Sequence, residues 1–358
     1  MPDDVMPGEV APDKVVPLLQ VDGLTVRFDT EDGTVNAVRG MSYSLAEREV
    51  LGIVGESGSG KSVSSLAVMG LLPRTARVTG RILLQGQDVL TMPEAQFRSL
   101  RGRKVAMIFQ DPMTALNPVV AIGDQLAEAR RSHEYVSKKV AWARAAEMLD
   151  LVGIPRPAER LRNYPHEFSG GMRQRVMIAM AVINNPDIII ADEPTTALDV
   201  TVQAQILEKL VEVKDAVGAA IVLITHDLGV VAGMADRVLV MYAGRAVERG
   251  ATEQVFRSPR MPYTAGLLGS IPGLESTSRL RSSRLRPIPG APPSLINLPR
   301  GCPFSPRCPL VRDRCNTDEP VLETTEQHGH TAACHYWAEL ADVPDPTTIF
   351  RAHEVSAE

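Results

Sequence analysis

The stretch Gly55-Glu56-Ser57-Gly58-Ser59-Gly60-Lys61-Ser62 fits the pattern G-x-x-x-x-G-K-[ST] at every fixed position. Just before it, Val50-Leu51-Gly52-Ile53-Val54 reads as a short buried strand. Just after it, a helix is expected from Lys61 to about Leu72, stopped by Pro73. A glycine-rich loop between strand and helix lets backbone N–H groups wrap a phosphate, and the helix N-terminus adds partial positive charge. In such a cradle Lys61 reaches the β- and γ-phosphates and Ser62 ligates Mg²⁺. Gly55, Ser57, Gly58, Ser59 and Gly60 form the cradle itself.

Further along, Ile188-Ile189-Ile190-Ala191-Asp192-Glu193 is an apolar strand ending in two acids. Asp192 is placed to hold Mg²⁺ through its water shell, and Glu193 to polarise an attacking water as general base. A plainer reading makes the acid pair only the cap of the next helix, since Pro194 follows.

The rest of the chain supplies alternating partners for these elements. Strand patterns begin at Leu18 and recur at Gly80 to Leu84, Val105 to Phe109 and Ile221 to Ile224. Helices are expected over residues 121–153, from Ser169 as N-cap to about Asn184, and from Asp199 as cap to Gly218. Alternation of this kind implies an α/β fold with a mostly parallel sheet covered on both faces. Beyond about Arg257 the pattern changes. Twelve of the 27 prolines fall between Pro259 and Pro320, so helical periodicity is not expected to persist there. The segment reads as a separate, loop-rich appendage.

Composition limits what such a chain does. With 38 Lys+Arg against 43 Asp+Glu the net charge is −5, which disfavours bulk coating of nucleic acid. No apolar run approaches the ~20 residues that cross a bilayer. The acidic, proline-punctuated start lacks the build of a signal peptide. The chain is therefore expected to be soluble and cytoplasmic, working at a membrane only through partners.

Phe168-Ser169-Gly170-Gly171-Met172-Arg173-Gln174 resembles the signature motif of ABC-type ATPases. Ala197-Leu198-Asp199 is similar to the family's D-loop, His226 to its switch histidine, and Gln110 in Phe109-Gln110-Asp111-Pro112 to its Q-loop glutamine. Phe28 stands where the family usually has an aromatic that stacks on adenine, although it also reads as an ordinary half-buried strand residue. These motifs occur in the family order and cover residues 18 to about 256. The resemblance implies a P-loop NTPase fold with a β-rich edge and a helical insertion at about 112–168. It implies ATP and Mg²⁺ as ligands, with Glu193, His226 and Gln110 as catalytic residues. Gln110 would sense Mg²⁺ and the γ-phosphate and pass nucleotide state to the insertion. The family pairs two cassettes head to tail, so that Ser169, Gly170, Gly171 and Asp199 would act on the nucleotide of a facing subunit.

The four cysteines, Cys302, Cys308, Cys315 and Cys334, all lie near the C-terminus with spacing C-x5-C-x6-C-x18-C. In a cytosolic chain such a group more readily holds a metal than forms disulfides. Four thiolates suit a [4Fe–4S] cluster or a tetrahedral Zn²⁺, and His328, His330 and His335 nearby leave a mixed site open, as they leave open no metal at all. Gly301-Cys302-Pro303-Phe304-Ser305-Pro306-Arg307-Cys308-Pro309 and Ala333-Cys334-His335 resemble the C-terminal extension of oligopeptide/dipeptide importer ATPases, which implies the cluster. Arg279, Arg281, Arg284 and Arg286 form a basic run, read as a solvated linker or as a contact for anionic lipid headgroups.

The expected organisation is a flexible arm (1–16), an ATPase domain (17–257), a loop-rich, metal-binding extension (258–340) and a tail (341–358). The expected activity is ATP hydrolysis that powers import of di- or oligopeptides. Expected partners are a second ATPase subunit (a paralogue or another copy), two membrane-spanning permease subunits and an extracytoplasmic substrate-binding protein, with the chain peripheral on the cytoplasmic face. Nickel or another solute is the rival cargo. DNA maintenance or translation would suit a chain with two cassettes or a coiled-coil arm, and neither is present in this sequence.

Overall fold

The computed structural model describes residues 16–196, 198–271 and 288–350. Ala197, nearly all of the N-terminal arm, the arginines Arg279, Arg281, Arg284 and Arg286, and the end of the tail lie outside the described residues.

The chain opens with two long antiparallel strands, β1 (Leu19–Thr30) and β2 (Gly33–Leu45), before β3 (Val50–Val54) and helix α1 (Lys61–Val68). Strands β4 (Ala76–Leu84) and β5 (Gln87–Asp88) complete a four-stranded antiparallel sheet in the order β2-β1-β4-β5, the β-rich edge. After α2 (Glu94–Leu100) and β6 (Val105–Ile108) come the helices of the insertion: α3 (Pro112–Ala115), α4 (Ile122–Arg131), α5 (Lys138–Leu151) and α6 (Pro157–Arg160). Then follow α7 (Gly170–Val182), β7 (Ile188–Asp192), α8 (Val200–Val217), β8 (Ala220–Thr225), α9 (Leu228–Met234), β9 (Arg237–Tyr242) and β10 (Arg245–Ala251). The C-terminal part adds α10 (Thr252–Arg257), α11 (Pro262–Gly269), α12 (Asp313–Thr317), β11 (Glu323–Thr324), β12 (Thr331–Ala332) and α13 (Trp337–Ala341).

The main sheet runs β11-β12-β10-β9-β3-β8-β7-β6, parallel from β9 to β6 and antiparallel beyond β9. Its central strands are apolar on both faces because successive side chains point to opposite sides. Ile189, Ala191, Ile221 and Leu223 pack toward α4, α5, α7 and α8. Ile188, Ile190, Val222 and Ile224 pack toward α1 and the antiparallel sheet.

Three expectations are corrected. Helix α1 ends a turn early because Gly70 takes φ 60° and Leu71 N–H reaches back to Leu66 O, so a glycine cap stops it before Pro73 can. Residues 121–153 form two helices, with Ser137 Oγ capping the second by accepting from Val140 N–H. The proline-rich segment does hold a buried helix, α11, whose Pro262 sits at the first position, where no N–H is needed.

The extension is also no appendage held apart. Strand β12 pairs with β10, and Phe304, Tyr263, Cys302 and Cys315 share one apolar cluster with Val54, Val238 and Tyr242 of the sheet. Beneath that pairing Glu248 is fully buried; it meets His330 Nε2 at 2.8 Å and accepts from the N–H groups of Arg260 and Met261. Such a carboxylate is tolerable only because its oxygens are occupied. The Phe304 ring stands edge-on to Tyr242 and Tyr263, at 5.3 and 5.4 Å between centroids. Phe304→Ala is therefore expected to lower stability by about 3–5 kcal/mol. Urea unfolding followed at the extension and at the sheet should show both shifting in one transition.

Candidate nucleotide site

Strand β3 ends at Val54, and the loop turns into α1 at Gly60 with φ 99° and no side-chain cap on the first turn. A Cβ at Gly55 would stand 2.3 Å from Met241 O, and one at Gly60 2.2 Å from Ala37 O, so only glycine lets the loop lie this close to its neighbours. Ser59 Oγ is buried without a hydrogen-bond partner, as expected of a loop shaped around an acceptor it can donate to. Lys61 is 5% exposed and its Nζ donates to the carbonyls of Gly55 (2.8 Å) and Glu56 (3.1 Å). Burial pushes its pKa down, opposed by the carboxylates of Glu193, Asp192 and Glu56. A triphosphate is the natural counter-charge for that ammonium.

Across the cleft, Ser62 Oγ donates to Asp192 Oδ1 at 3.0 Å, which brings the end of β7 against the start of α1. Burial raises the Asp192 pKa, and the Ser62 hydrogen bond works against it. The pair offers two oxygen donors of the kind Mg²⁺ prefers. Glu193 follows with φ 46°, a left-handed backbone that is costly for a residue with a side chain and typical of functional positions. Its carboxylate gathers three neighbours: Gln110 Nε2 donates at 3.1 Å, Thr196 Oγ1 donates at 2.9 Å, and His226 Nδ1 lies at 3.4 Å. Phe28, Ser57, Gly58, Gly60, Lys61, Ser62, Gln110, Glu193 and His226 line a single cleft.

Ser169, Gly170, Gly171 and Asp199 are not part of that cleft. They line a second concavity, in which Ser169 caps α7 and Asp199 caps α8. A Cβ at Gly171 would meet Val202 Cγ1 at 2.7 Å, so α7 and α8 cross closely there. The described residues thus form two separate concavities beside helix starts, and Lys61 and Glu193 line the first of them.

Comparison with known proteins agrees with this geometry. Residues 38–196 match the family described as ABC transporter, and residues 247–315 match the oligopeptide/dipeptide transporter C-terminal region. The chain is 53% identical over 319 residues to the dipeptide transport ATP-binding protein of Bacillus subtilis, covering 88% of this chain and 94% of that one. The chain belongs to the ABC transporter ATP-binding proteins. With the oligopeptide transport ATP-binding protein of Escherichia coli it shares 50% identity over 88% of its length and 92% of that protein's. Identity to the Mycobacterium tuberculosis oligopeptide transport protein is 55%, but the chain spans only 52% of that relative's length. In fold it is similar to a dimeric bacterial ABC transporter cassette (TM-score 0.58, 24% identity, 65% of this chain and 98% of that one). It is also similar to a cassette of a Clostridium perfringens ABC transporter complex (TM-score 0.57, 27% identity, 67% and 91%).

Sequence reasoning missed several residues that this ABC cassette brings to its cleft. Leu295, from the extension, lines it beside Phe28 and Val35, and its carbonyl accepts from Asn36 N–H at 3.3 Å. Tyr263 Oη accepts from Glu56 N–H at 2.8 Å, and Arg307 grips the Glu56 carboxylate. The motif that includes Arg307 points to the extension and not to the cleft, because each of these residues acts across some two hundred residues or more of chain.

The four cysteines are free and line one pocket together with Phe304, His335 and Tyr336. Burial pushes three of the thiols up, to about 11 for Cys302 and about 12 for Cys308 and Cys334. Among the described residues, however, no three of His, Cys, Asp and Glu are gathered as a site for a single metal ion. His330 is committed to Glu248, and His335 Nε2 lies 2.9 Å from Asp318 O.

Leu295→Asp should weaken a fluorescent adenine nucleotide about tenfold in titration, since it replaces an apolar wall of the cleft by a charge. Competition by tripolyphosphate, which lacks the base, should change far less.

Proposed function

We propose that this chain binds and hydrolyses ATP to power uptake of di- or oligopeptides through separate permease subunits. The observation that carries the reading is the convergence of Gln110, Thr196 and His226 on Glu193, at the mouth of the loop bearing Lys61. In this reading the N–H groups of the loop and Lys61 neutralise the phosphates, while Phe28 and Leu295 flank the base. Ser62, Asp192 and Gln110 would hold Mg²⁺, which would supply positive charge at the phosphates. Glu193 accepts the proton of the attacking water; Gln110 and His226 hold that water and the γ-phosphate oxygens in line.

Ser169, Gly170, Gly171 and Asp199 would close over the nucleotide of a facing cassette, either another copy or a paralogue. Support comes from their lying on a surface of their own, away from this chain's phosphate loop. The peptide assignment rests on the relatives' names and on the matched C-terminal region. Nickel or another solute is the second reading, since nothing in the cleft selects cargo; that choice falls to the permeases and a substrate-binding protein. Among the described residues no helix is long and apolar enough to cross a membrane, which suits a subunit that docks on permeases. Exposed Met113, Val119, Tyr135 and Val140 on and around the helical insertion are apolar surface for that docking at the cytoplasmic face.

For the cysteine pocket the proposal is a [4Fe–4S] cluster, with zinc as the alternative. What supports the proposal is that all four cysteines line one pocket. Iron, sulfide and zinc analysis of anaerobically purified chain decides between them.

Glu193→Gln is expected to keep ATP binding but lower turnover by at least ~10²-fold, with nucleotide-bound pairs accumulating in size-exclusion chromatography. Lys61→Ala should weaken ATP binding itself. Normal turnover in the first variant would remove Glu193 from the role of base, and unaltered affinity in the second would remove Lys61 from the phosphate cradle.

A further inference from the structure

The phosphate loop carries a carboxylate of its own. Glu56 lies in the cleft lining and is one of the charges acting on Lys61. A bare carboxylate beside a triphosphate would repel it. Arg307 of the extension answers that charge: Nη1 donates to Glu56 Oε2 at 2.6 Å and Nη2 to Oε1 at 2.8 Å, a bidentate fork.

The guanidinium is itself tightly held. Only 7% of Arg307 is exposed, its Nε donates to Pro289 O at 2.9 Å, and Nη1 also reaches Tyr242 Oη at 3.3 Å. Its charged end lies 5.9 Å from the centroids of both Tyr242 and Phe304. On the other side of the same loop residue, Tyr263 Oη takes the Glu56 N–H at 2.8 Å. Two residues of the C-terminal part thus hold one residue of the loop by its backbone and its side chain.

We propose that Arg307 is a positioning residue of the nucleotide site, cancelling the Glu56 charge and fixing the phosphate loop so that it accepts a triphosphate. This rests on the ATP reading above and extends it: the extension is part of the nucleotide machinery, delivered by the segment that also carries Cys302 and Cys308. Lysine is a poor substitute, because it offers a point charge in place of a fork.

The test uses the full chain and ATP, reading affinity by titration and KM separately from kcat. Arg307→Ala should weaken ATP about tenfold, raise KM in step, and leave kcat at saturating ATP within about threefold. Arg307→Lys should fall between wild type and Arg307→Ala, and it keeps the experiment informative if the alanine variant fails to fold. Adding Glu56→Gln to Arg307→Ala should restore affinity to within about threefold of wild type, since the bare charge is then gone. Tripolyphosphate should follow ATP in every variant, because the effect acts on phosphates and not on the base. Unchanged ATP affinity in both Arg307 variants would overturn the proposal, as would a double variant no better than Arg307→Ala. Failure of the wild-type chain to bind ATP would instead overturn the ATP reading.

Discussion

The cleft depends on β3 being hydrogen-bonded on both sides, to β8 on one and β9 on the other, all running parallel. Parallel strands bring their C-terminal ends to one edge of the sheet, where the chain leaves β3 for a helix and where ligands of α/β sheets collect. From that edge come the phosphate loop after β3, Asp192 and Glu193 at the end of β7, and His226 after β8. Register does the fine placement: Asp192 lies opposite Ile224 and Val54 opposite Thr225, so three loops start level with one another. The Ser62–Asp192 contact and the Glu193 N–H to Ile224 O bond, at 2.8 Å, follow from this alignment.

What was legible in the sequence was local. Val50–Val54 and Ile188–Asp192 are continuous apolar runs, Ser169 and Asp199 are capping residues at helix starts, and Gly218 closes α8 with φ 73°. Each of these follows from a few neighbouring residues. Helix α1 was overrun by a turn because Pro73 is a conspicuous stop, whereas Gly70 stops a helix only by its backbone conformation. The break between α4 and α5 was missed because residues 132–137 carry no proline or glycine to mark it.

Leu295, Tyr263 and Arg307 were illegible for a different reason. They reach the cleft only because the C-terminal part folds back along β10 and shares an apolar cluster with the β3–β9 region. Proline density there was read as separation from the cassette. Pro306 in fact lies in the short helical turn Ser305–Arg307, whose Arg307 pairs with Glu56, while Glu248 and His330 fasten the segment to the sheet. A charge pair spanning 251 residues leaves no periodicity to detect.

In the proposed pairing, one γ-phosphate is met by the phosphate loop of one cassette and by residues 169–171 of another. Vanadate trapped with ADP in the assembled importer takes the γ-phosphate's place and cleaves the backbone beside it under ultraviolet light. Mass spectrometry of this chain is expected to find cuts both within residues 55–62 and within residues 169–171. Cuts confined to residues 55–62 would contradict that pairing, leaving Ser169, Gly170 and Gly171 with no nucleotide to serve.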